Sequence, residues 1–225
     1  INCTSEVFFD EKNRKVVSSR QRRFRDLILS STDSNEGISE GEASILLAKS
    51  VFEGKLKLKN WDEGVETWIH RNNFLAEYCS DYGFTKIGDD ERVIILSEIC
   101  QGSFSYKDIK NIDVWPGVKS WLSEANHALM DKLAPVEMSL PAKKRPVKIR
   151  YDIKHKPVLS ATIQELYDCN LDLNIAGGNY SLLVELLAPN RRPVQLTNDL
   201  NSFWNGAYEN IKKDLKGRYP KHEWR

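Results

Sequence analysis

No GxxxxGK(S/T) phosphate loop occurs in this sequence: Gly54–Lys55 lacks both the preceding glycine and a following Ser/Thr. GxGxxG, HExxH and GxSxG are missing too, which removes the familiar signatures of dinucleotide binding, zinc proteolysis and serine hydrolysis. The four cysteines, Cys3, Cys79, Cys100 and Cys169, are scattered, with no CxxC or Cys/His ligand spacing, and this argues against a zinc site. There is no secretory signal and no apolar run of bilayer length. The expectation is a cytoplasmic protein with reduced thiols and no membrane partner, in which the sequons at Asn2 and Asn179 arise by chance. An excess of one charge is lacking as well: the net charge is +1, so bulk electrostatics points to no partner. The chain begins at Ile1 rather than methionine, directly on a strand-like segment, as expected of a piece of a longer polypeptide.

What is present is a chain of 225 residues, 40% apolar and 10% aromatic, enough for one large domain or two small ones with a real core. The charges are segregated. Lys12, Arg14, Lys15, Arg20, Arg22, Arg23 and Arg25 crowd the start, and Lys143, Lys144, Arg145, Lys148, Arg150, Lys154 and Lys156 form a second basic stretch. Acid lies between them, as in TDSNEGISEGE and GDDE, so a basic face is compatible with overall neutrality.

EVFFD, RKVVSS and RFRDLILSS read as three strands, with a turn at Asp10 to Asn13. An acidic linker, Thr32 to Gly37, leads to a capping box, Ser39 with Glu42, before a helix that Gly54 ends. Asn60 and Glu63 suggest the next N-terminus, with Trp61, Val65, Trp68, Ile69, Leu75 and Cys79 inward. DDERVIILSEICQG is a shorter helix. GVKSWLSEANHALMDKLAP reads as another, with Val118, Trp121, Leu122, Ala125, Leu129 and Leu133 inward. After Pro135 the period becomes alternating. Val147, Ile149 and Tyr151 share a strand face, PVLSA is a second strand, Thr162 and Glu165 cap a short helix, IQELYDC, and YSLLVELLA and PVQL are further strands. The fold class is therefore α+β: a β segment over 1–35, a helical region over 36–133 and a mixed α+β domain over 134–225, whose sheet packs with helices.

The end of the chain is dense in charge and aromatics, yet Leu200, Phe203, Trp204, Ala207, Ile211 and Leu215 recur at helical spacing, with Trp204 at the centre of the stripe. Thr197, Asn198 and Asp199 can cap its start, Lys212, Lys213 and Lys216 suit its last turn, and Gly217 and Pro220 are expected to stop it. This is the pattern of a docked helix. In GRYPKHEWR, Tyr219 and Trp224 are expected to pack back on the core. IAGG reads as a turn more readily than as an anion site, and His70, His127, His155 and His222 show no catalytic partner. Glu165 and Asp168 are explained by capping and solvation.

The stretch PVQLTNDLNSFWNGAYENIKKDLKGRYPKHEW, with KPVLSATIQELYD and LLVELLAPNRR before it, closely resembles the C-terminal region of bacterial HrpB-type ATP-dependent helicases of the DExH superfamily. Pro193, Val194, Gln195, Thr197, Asp199, Leu200, Phe203, Trp204, Tyr208, Gly217, Arg218, Tyr219, Pro220, Lys221, His222 and Trp224 match that family's ending in order. Upstream, FFDEKNRKVVSSRQRRFRDLILS is similar to the family's oligonucleotide-binding-like β segment. Ala142 and Lys143 stand in place of the family's Ser–Gly, Tyr167–Asp168 in place of Phe–Gly, and Glu223 in place of proline. The resemblance implies a parent RNA helicase whose upstream RecA-like lobes bind ATP and Mg; this chain itself is expected to carry no catalytic residue, no metal and no cofactor.

Basic strands beside Phe8, Phe9 and Phe24 suit phosphate contact with base stacking. Arg14, Lys15, Arg20, Arg22, Arg23 and Arg25 are the candidate ligands of single-stranded nucleic acid, most readily RNA, with Arg218 and Lys221 as secondary ones. The alternative is a protein-interaction domain docking the helicase to a partner. ATP turnover by this chain alone is expected to be nil with or without RNA. Phosphate release that a point change within the chain abolishes would contradict this.

Overall fold

The structure, a computed structural model, describes residues 2–24, 27–34, 37–152, 156–169 and 173–225, with side chains for all of these except 2–5, 20–24 and 27–33. The chain is α+β and divides into two compact units. One comprises 1–66 with 87–123, the other 67–86 with 124–225.

The first unit opens with an antiparallel sheet of β1 (Asn2–Asp10), β2 (Lys15–Phe24) and β3 (Leu27–Ser34), in the order β1-β2-β3. β3 runs further than its polar sequence suggests, because its backbone keeps pairing with β2 as far as Ser34 opposite Ser18. The expected capping box starts α1 (Glu40–Phe52): the Glu42 amide donates to Ser39 Oγ, and Glu42 Oε2 accepts from Ser39. Gly54 follows at φ +77, as a left-handed stop requires. α1 packs on α3 (Asp89–Ile99), which packs on the short α5 (Trp115–Lys119). Gly117 is the point of closest approach, since a Cβ there would collide with the Ile99 side chain. A short helix that the sequence pattern does not reveal, α4 (Tyr106–Ile109), lies between α3 and α5.

α2 (Glu63–Tyr78) passes from the first unit into the second. Its start is capped by Asp62, whose Oδ1 accepts from the Gly64 and Val65 amides. Asn60, the expected cap, instead donates to the carbonyls of Asn111 and Ile112. The expected inward face is buried at Val65, Trp68, Ile69, Leu75 and Cys79.

The helix expected over 117–134 is two helices. After α5 the chain breaks at Ser120, whose hydroxyl lies 2.8 Å from the Gly117 carbonyl, and resumes as α6 (Glu124–Leu133). In α6, Met130 and Leu133 are buried, whereas Ala125, expected inward, is exposed.

The second unit's five-stranded sheet has the order β10-β9-β6-β5-β4. Its strands are β4 (Glu137–Met138), β5 (Val147–Arg150), β6 (Val158–Thr162), β9 (Leu183–Leu187) and β10 (Pro193–Thr197). β7 (Asn174–Ile175) and β8 (Tyr180–Ser181) form a separate hairpin. β6 and β9 pair in parallel at the centre, and their neighbours pair antiparallel. IQELYDC forms only a 3-10 turn, Ile163–Leu166, although Glu165 Oε2 accepts from the Thr162 amide as a cap partner should.

The final helix is α7 (Leu200–Ser202), a wide π-turn Phe203–Ala207, and α8 (Tyr208–Arg218). Asp199 caps it, with Oδ1 accepting from the Ser202 amide. The π-turn inserts a residue into the helical period and moves the apolar stripe around the axis. Leu200, Phe203, Tyr208 and Leu215 are buried, whereas Trp204, Ala207 and Ile211 are half-buried. Gly217 does not stop the helix. It is helical, and the chain leaves at Tyr219 before Pro220. Phe203→Ala is expected to cost about 3–5 kcal/mol in chemical denaturation, and Trp204→Ala clearly less. A larger loss for Trp204→Ala would show that the stripe follows an unbroken 3.6-residue period.

Candidate functional site

The first candidate interface is built on the β1–β2 turn. Asp10 Oδ1 accepts from the amides of Lys12 (2.9 Å) and Asn13 (3.1 Å), and Oδ2 accepts from Asn13 Nδ2. The Asn13 side chain and amide hold this carboxyl below the usual carboxylate range. The tight turn delivers Arg14 at φ +51. Its guanidinium lies 5.5 Å from the Tyr106 ring centroid, and its carbonyl accepts from the Tyr106 amide. Together with the bond from the Val16 amide to the Phe104 carbonyl, this adds residues 104–106 to the edge of β2, around a bridge between Lys15 and Ser105. That edge is available because the β3 ladder begins only at Ser18. Asp108 Oδ2 fixes the added segment by accepting from the Phe104 and Ser105 amides, and the Tyr106 hydroxyl donates to the Lys57 carbonyl. Arg14 and Lys15 therefore stand on a cross-braced base.

Arg20, Arg22 and Arg23 lie further along β2, opposite Ser5, Cys3 and Asn2 of β1. The ladder to β3 slips between Arg22 and Arg23, and the extra residue, Leu29, is on β3, so β2 keeps its two-residue period. Arg25 lies outside the described residues, as do Lys154 and His155. Phe8 is exposed and Phe9 half-buried.

In the second unit, Lys143 Nζ lies 2.7 Å from Glu165 Oε1, and Arg191 lies 3.9 Å from the same oxygen. Burial pushes the Glu165 carboxyl up, but the Lys143 ammonium, the Thr162 amide and Arg191 outweigh it and hold it below the usual range. One cation of the second basic stretch is thus committed to a structural carboxylate; Lys144, Arg145 and Lys148 are exposed.

Arg218 lines a groove of about 280 Å³. One wall is the β9–β10 turn, where Arg191 at φ +64 and bonds between Ala188 and Arg191–Arg192 bring Asn190 and Arg192 forward. Val194, Ile211 and Leu215 form its floor, and Asp214 and Tyr219 also face it. Lys221 is exposed on the following tail. Among the described residues neither Arg218 nor Lys221 forms an ion pair.

The tail does fold back. Trp224 Nε1 donates to the Tyr219 carbonyl (3.0 Å), and the Glu223 carbonyl accepts from the Tyr167 hydroxyl (3.1 Å). Asp168 has φ +62, a left-handed conformation that glycine adopts most readily, in keeping with the Phe–Gly that the resemblance leads one to expect at 167–168. Its carboxylate meets Arg225 Nη1 at 2.7 Å, while Arg225 Nε donates to Glu223 Oε1 and its guanidinium stacks 4.8 Å from the Tyr167 ring centroid. IAGG is the β7–β8 turn, with Ala176, Gly177 and Gly178 all at positive φ. His70 Nδ1 lies 3.3 Å from the Tyr151 carbonyl, and His127 is 5.9 Å from the Trp68 ring. Among the described residues no group of three His, Cys, Asp or Glu could hold a metal ion, and no helix is long and apolar enough to cross a membrane. Sequence reasoning missed the buried Arg71 and the role of residues 104–106; Arg71 sits inside an apolar helical pattern that gives no sign of a buried cation.

Each unit combines a sheet with packed helices and exposes basic side chains, Arg14 in the first and Lys144, Arg145 and Lys148 in the second. Residues 95–225 match the family described as ATP-dependent helicase C-terminal (HrpB_C), and the chain belongs to that family. It is 30% identical over 191 residues, 83% of its length, to the ATP-dependent RNA helicase HrpB of Escherichia coli (strain K12), of which it covers 23%. Two crystal structures are similar, one of the E. coli DExH-box NTPase HrpB and one of the Escherichia coli DEAH/RHA helicase HrpB. The first has a TM-score of 0.78 at 26% identity and covers all of this chain. The second has a TM-score of 0.69 at 25% identity and covers 99%. The chain spans 28% of each of those proteins. It is the C-terminal region of an HrpB-type helicase.

Glu165 generates a pH prediction. A carboxyl whose folded pKa is depressed stabilises the fold above its ordinary value of 4.5, and this contribution is lost as pH falls through the lower folded value. Glu165→Gln should therefore be less stable at neutral pH and lose less stability on acidification, in urea unfolding from about pH 6 down to about pH 3. Parallel curves for the two proteins would remove Glu165 from the acid response.

Proposed function

We propose that this accessory region binds and positions single-stranded RNA for the helicase, while ATP and Mg are handled by RecA-like lobes elsewhere in the parent polypeptide. The observation that carries the reading is the composition of β2. Lys15, Arg20, Arg22 and Arg23 occur on one strand, with Arg14 braced against Tyr106 at its base. Cations along a paired strand suit phosphates, contacts to which position a nucleic acid without reading its sequence. The exposed Phe8 adds a surface for a base.

A second reading, docking to a protein, draws on α1 and α3 of the same unit. These two helices pack on each other and leave Ile45, Phe52 and Ile94 exposed. Salt separates the two readings, since phosphate binding weakens steeply with ionic strength whereas an apolar interface does not. Single-stranded RNA titrated into the full helicase should bind the Arg22→Gln/Arg23→Gln variant more weakly than wild type. The slope of log affinity against log salt should fall by about 1.4, roughly 0.7 for each phosphate that the variant no longer neutralises. Equal affinities and slopes would assign the cluster to solubility or docking and favour the second reading.

A further inference from the structure

We infer that the groove between β10 and α8 is a docking site for an extended peptide of a partner protein, one carrying an aliphatic residue flanked by acidic ones. This goes beyond the RNA binding proposed for the other unit and does not depend on it.

Three observations meet at this groove. First, β10 is an edge strand, last in its sheet, so one row of its backbone N–H and C=O groups has no strand partner among the described residues. Such an edge is a template for one more strand. Natural edges are blunted by charge, proline or brevity. Here only Pro193 and the bulge beside it do so, and the strand then shows Leu196 at 55% exposure. Second, the floor beside the strand is aliphatic. Val194 on β10 faces Ile211 and Leu215 on α8 across a space of about 280 Å³, which suits a branched side chain. The start of β10, at Pro193 and Val194, and α8 thus form two sides of one slot, and the unpaired edge of β10 continues from it over 195–197. Third, the slot is flanked by Arg192 and Arg218, and among the described residues neither forms an ion pair. Two uncommitted guanidiniums beside an apolar floor are complementary to carboxylates on either side of an apolar residue.

RNA fits this groove less well. Phosphates would engage the arginines but leave the aliphatic floor and the strand edge without partners. Asp214, also on the lining, repels phosphate and carboxylate alike, so the acidic residues of the peptide belong at Arg192 and Arg218, while Asp214 can accept a peptide N–H, a donor that a phosphate backbone lacks. The groove is preformed: the β9–β10 turn is locked by the Ala188–Arg191 and Ala188–Arg192 backbone bonds and by Asn190 Oδ1 accepting from the Arg192 amide. Binding therefore orders only the peptide.

The test uses the full helicase. A fluorescein-labelled peptide with valines at its centre and glutamates on both sides is titrated by anisotropy, beside a version with lysines replacing the glutamates and a labelled oligouridine. Hydrogen–deuterium exchange is followed over 193–197. The glutamate peptide should bind at least about tenfold tighter than the lysine peptide and slow exchange over 193–197. The Arg192→Gln/Arg218→Gln variant should weaken it about tenfold with exchange in the central strands unchanged. Val194→Asp, which leaves the arginines in place, should abolish binding. The inference fails if neither peptide binds, if both bind equally, or if binding leaves exchange over 193–197 unaltered. It also fails if oligouridine rather than the glutamate peptide loses affinity in the double variant, which would assign these arginines to nucleic acid.

Discussion

A guanidinium buried among apolar side chains costs several kcal/mol unless its donors are satisfied, and the second unit is organised around satisfying one. Arg71 on α2 is 5% exposed. Its Nε donates to the Ala134 carbonyl at 2.6 Å, and its Nη2 lies 2.7 Å from Asp131 Oδ1 and 3.4 Å from the Met130 carbonyl. These acceptors belong to the last turn of α6 and the residue just after it, where the helix end carries partial negative charge; the Met130 carbonyl also accepts from the Ala134 amide. One side chain thus answers two demands, solvating itself and terminating a helix. The chain that leaves α6 is immediately held by the same neighbourhood. The Tyr151 hydroxyl donates to the Pro135 carbonyl, and the Ile149 amide to that of Val136. The edge of the sheet at β4 and β5 therefore takes its position from α2.

From that edge, packing passes across the sheet through aromatic rings. Phe74 and Tyr78 of α2 meet Tyr180 edge-on, and Phe74 also meets Tyr151. Burial pushes the hydroxyls of Tyr151 and Tyr180 well above their ordinary values, the latter to about 12. On the far side, Tyr167, Phe203, Trp204 and Tyr208 form a second cluster, joined by a bond between the Tyr167 and Tyr208 hydroxyls at 2.8 Å. This cluster holds the final helix, and so α8, against the sheet. The groove beside β10 is lined by the later turns of a helix whose first turns these rings fix.

The chain departs from the HrpB-type pattern at positions that the structure connects. Asp168 and Glu223 stand where the resemblance leads to an expectation of glycine and proline, and both carboxylates bind Arg225. Lys143, in place of glycine, meets Glu165. At Asp168 the left-handed backbone is kept, at φ +62, and the ion pairs are added to it. Each exposed pair contributes on the order of 1 kcal/mol or less, so the pairs tune the loops without deciding the fold.

Features that depend on local chemistry were legible in the sequence. The Ser39–Glu42 box, the stop at Gly54, the alternation of Val147, Ile149 and Tyr151, and the docking of the last helix all rest on neighbours within a turn or two. So was membership of the helicase C-terminal family, because its closing motif is long and ordered. The basic strand was legible as composition, but its brace was not: residues 104–106 join β2 across almost ninety positions of chain. The split at Ser120 and the π-turn at Phe203–Ala207 escape a periodicity reading because one inserted residue or one competing hydroxyl shifts the phase without changing composition. Arg71 was invisible for a stronger reason. A charged residue in an apolar stripe reads as surface until something supplies its acceptors, and those come from a helix some sixty residues away. The groove of β10 is the same case, since an edge strand and a helix face become a site only when the tertiary structure sets them side by side. Sequence determines the elements through short-range hydrogen bonding and periodic burial. Only the fold decides which distant polar groups and faces must satisfy one another.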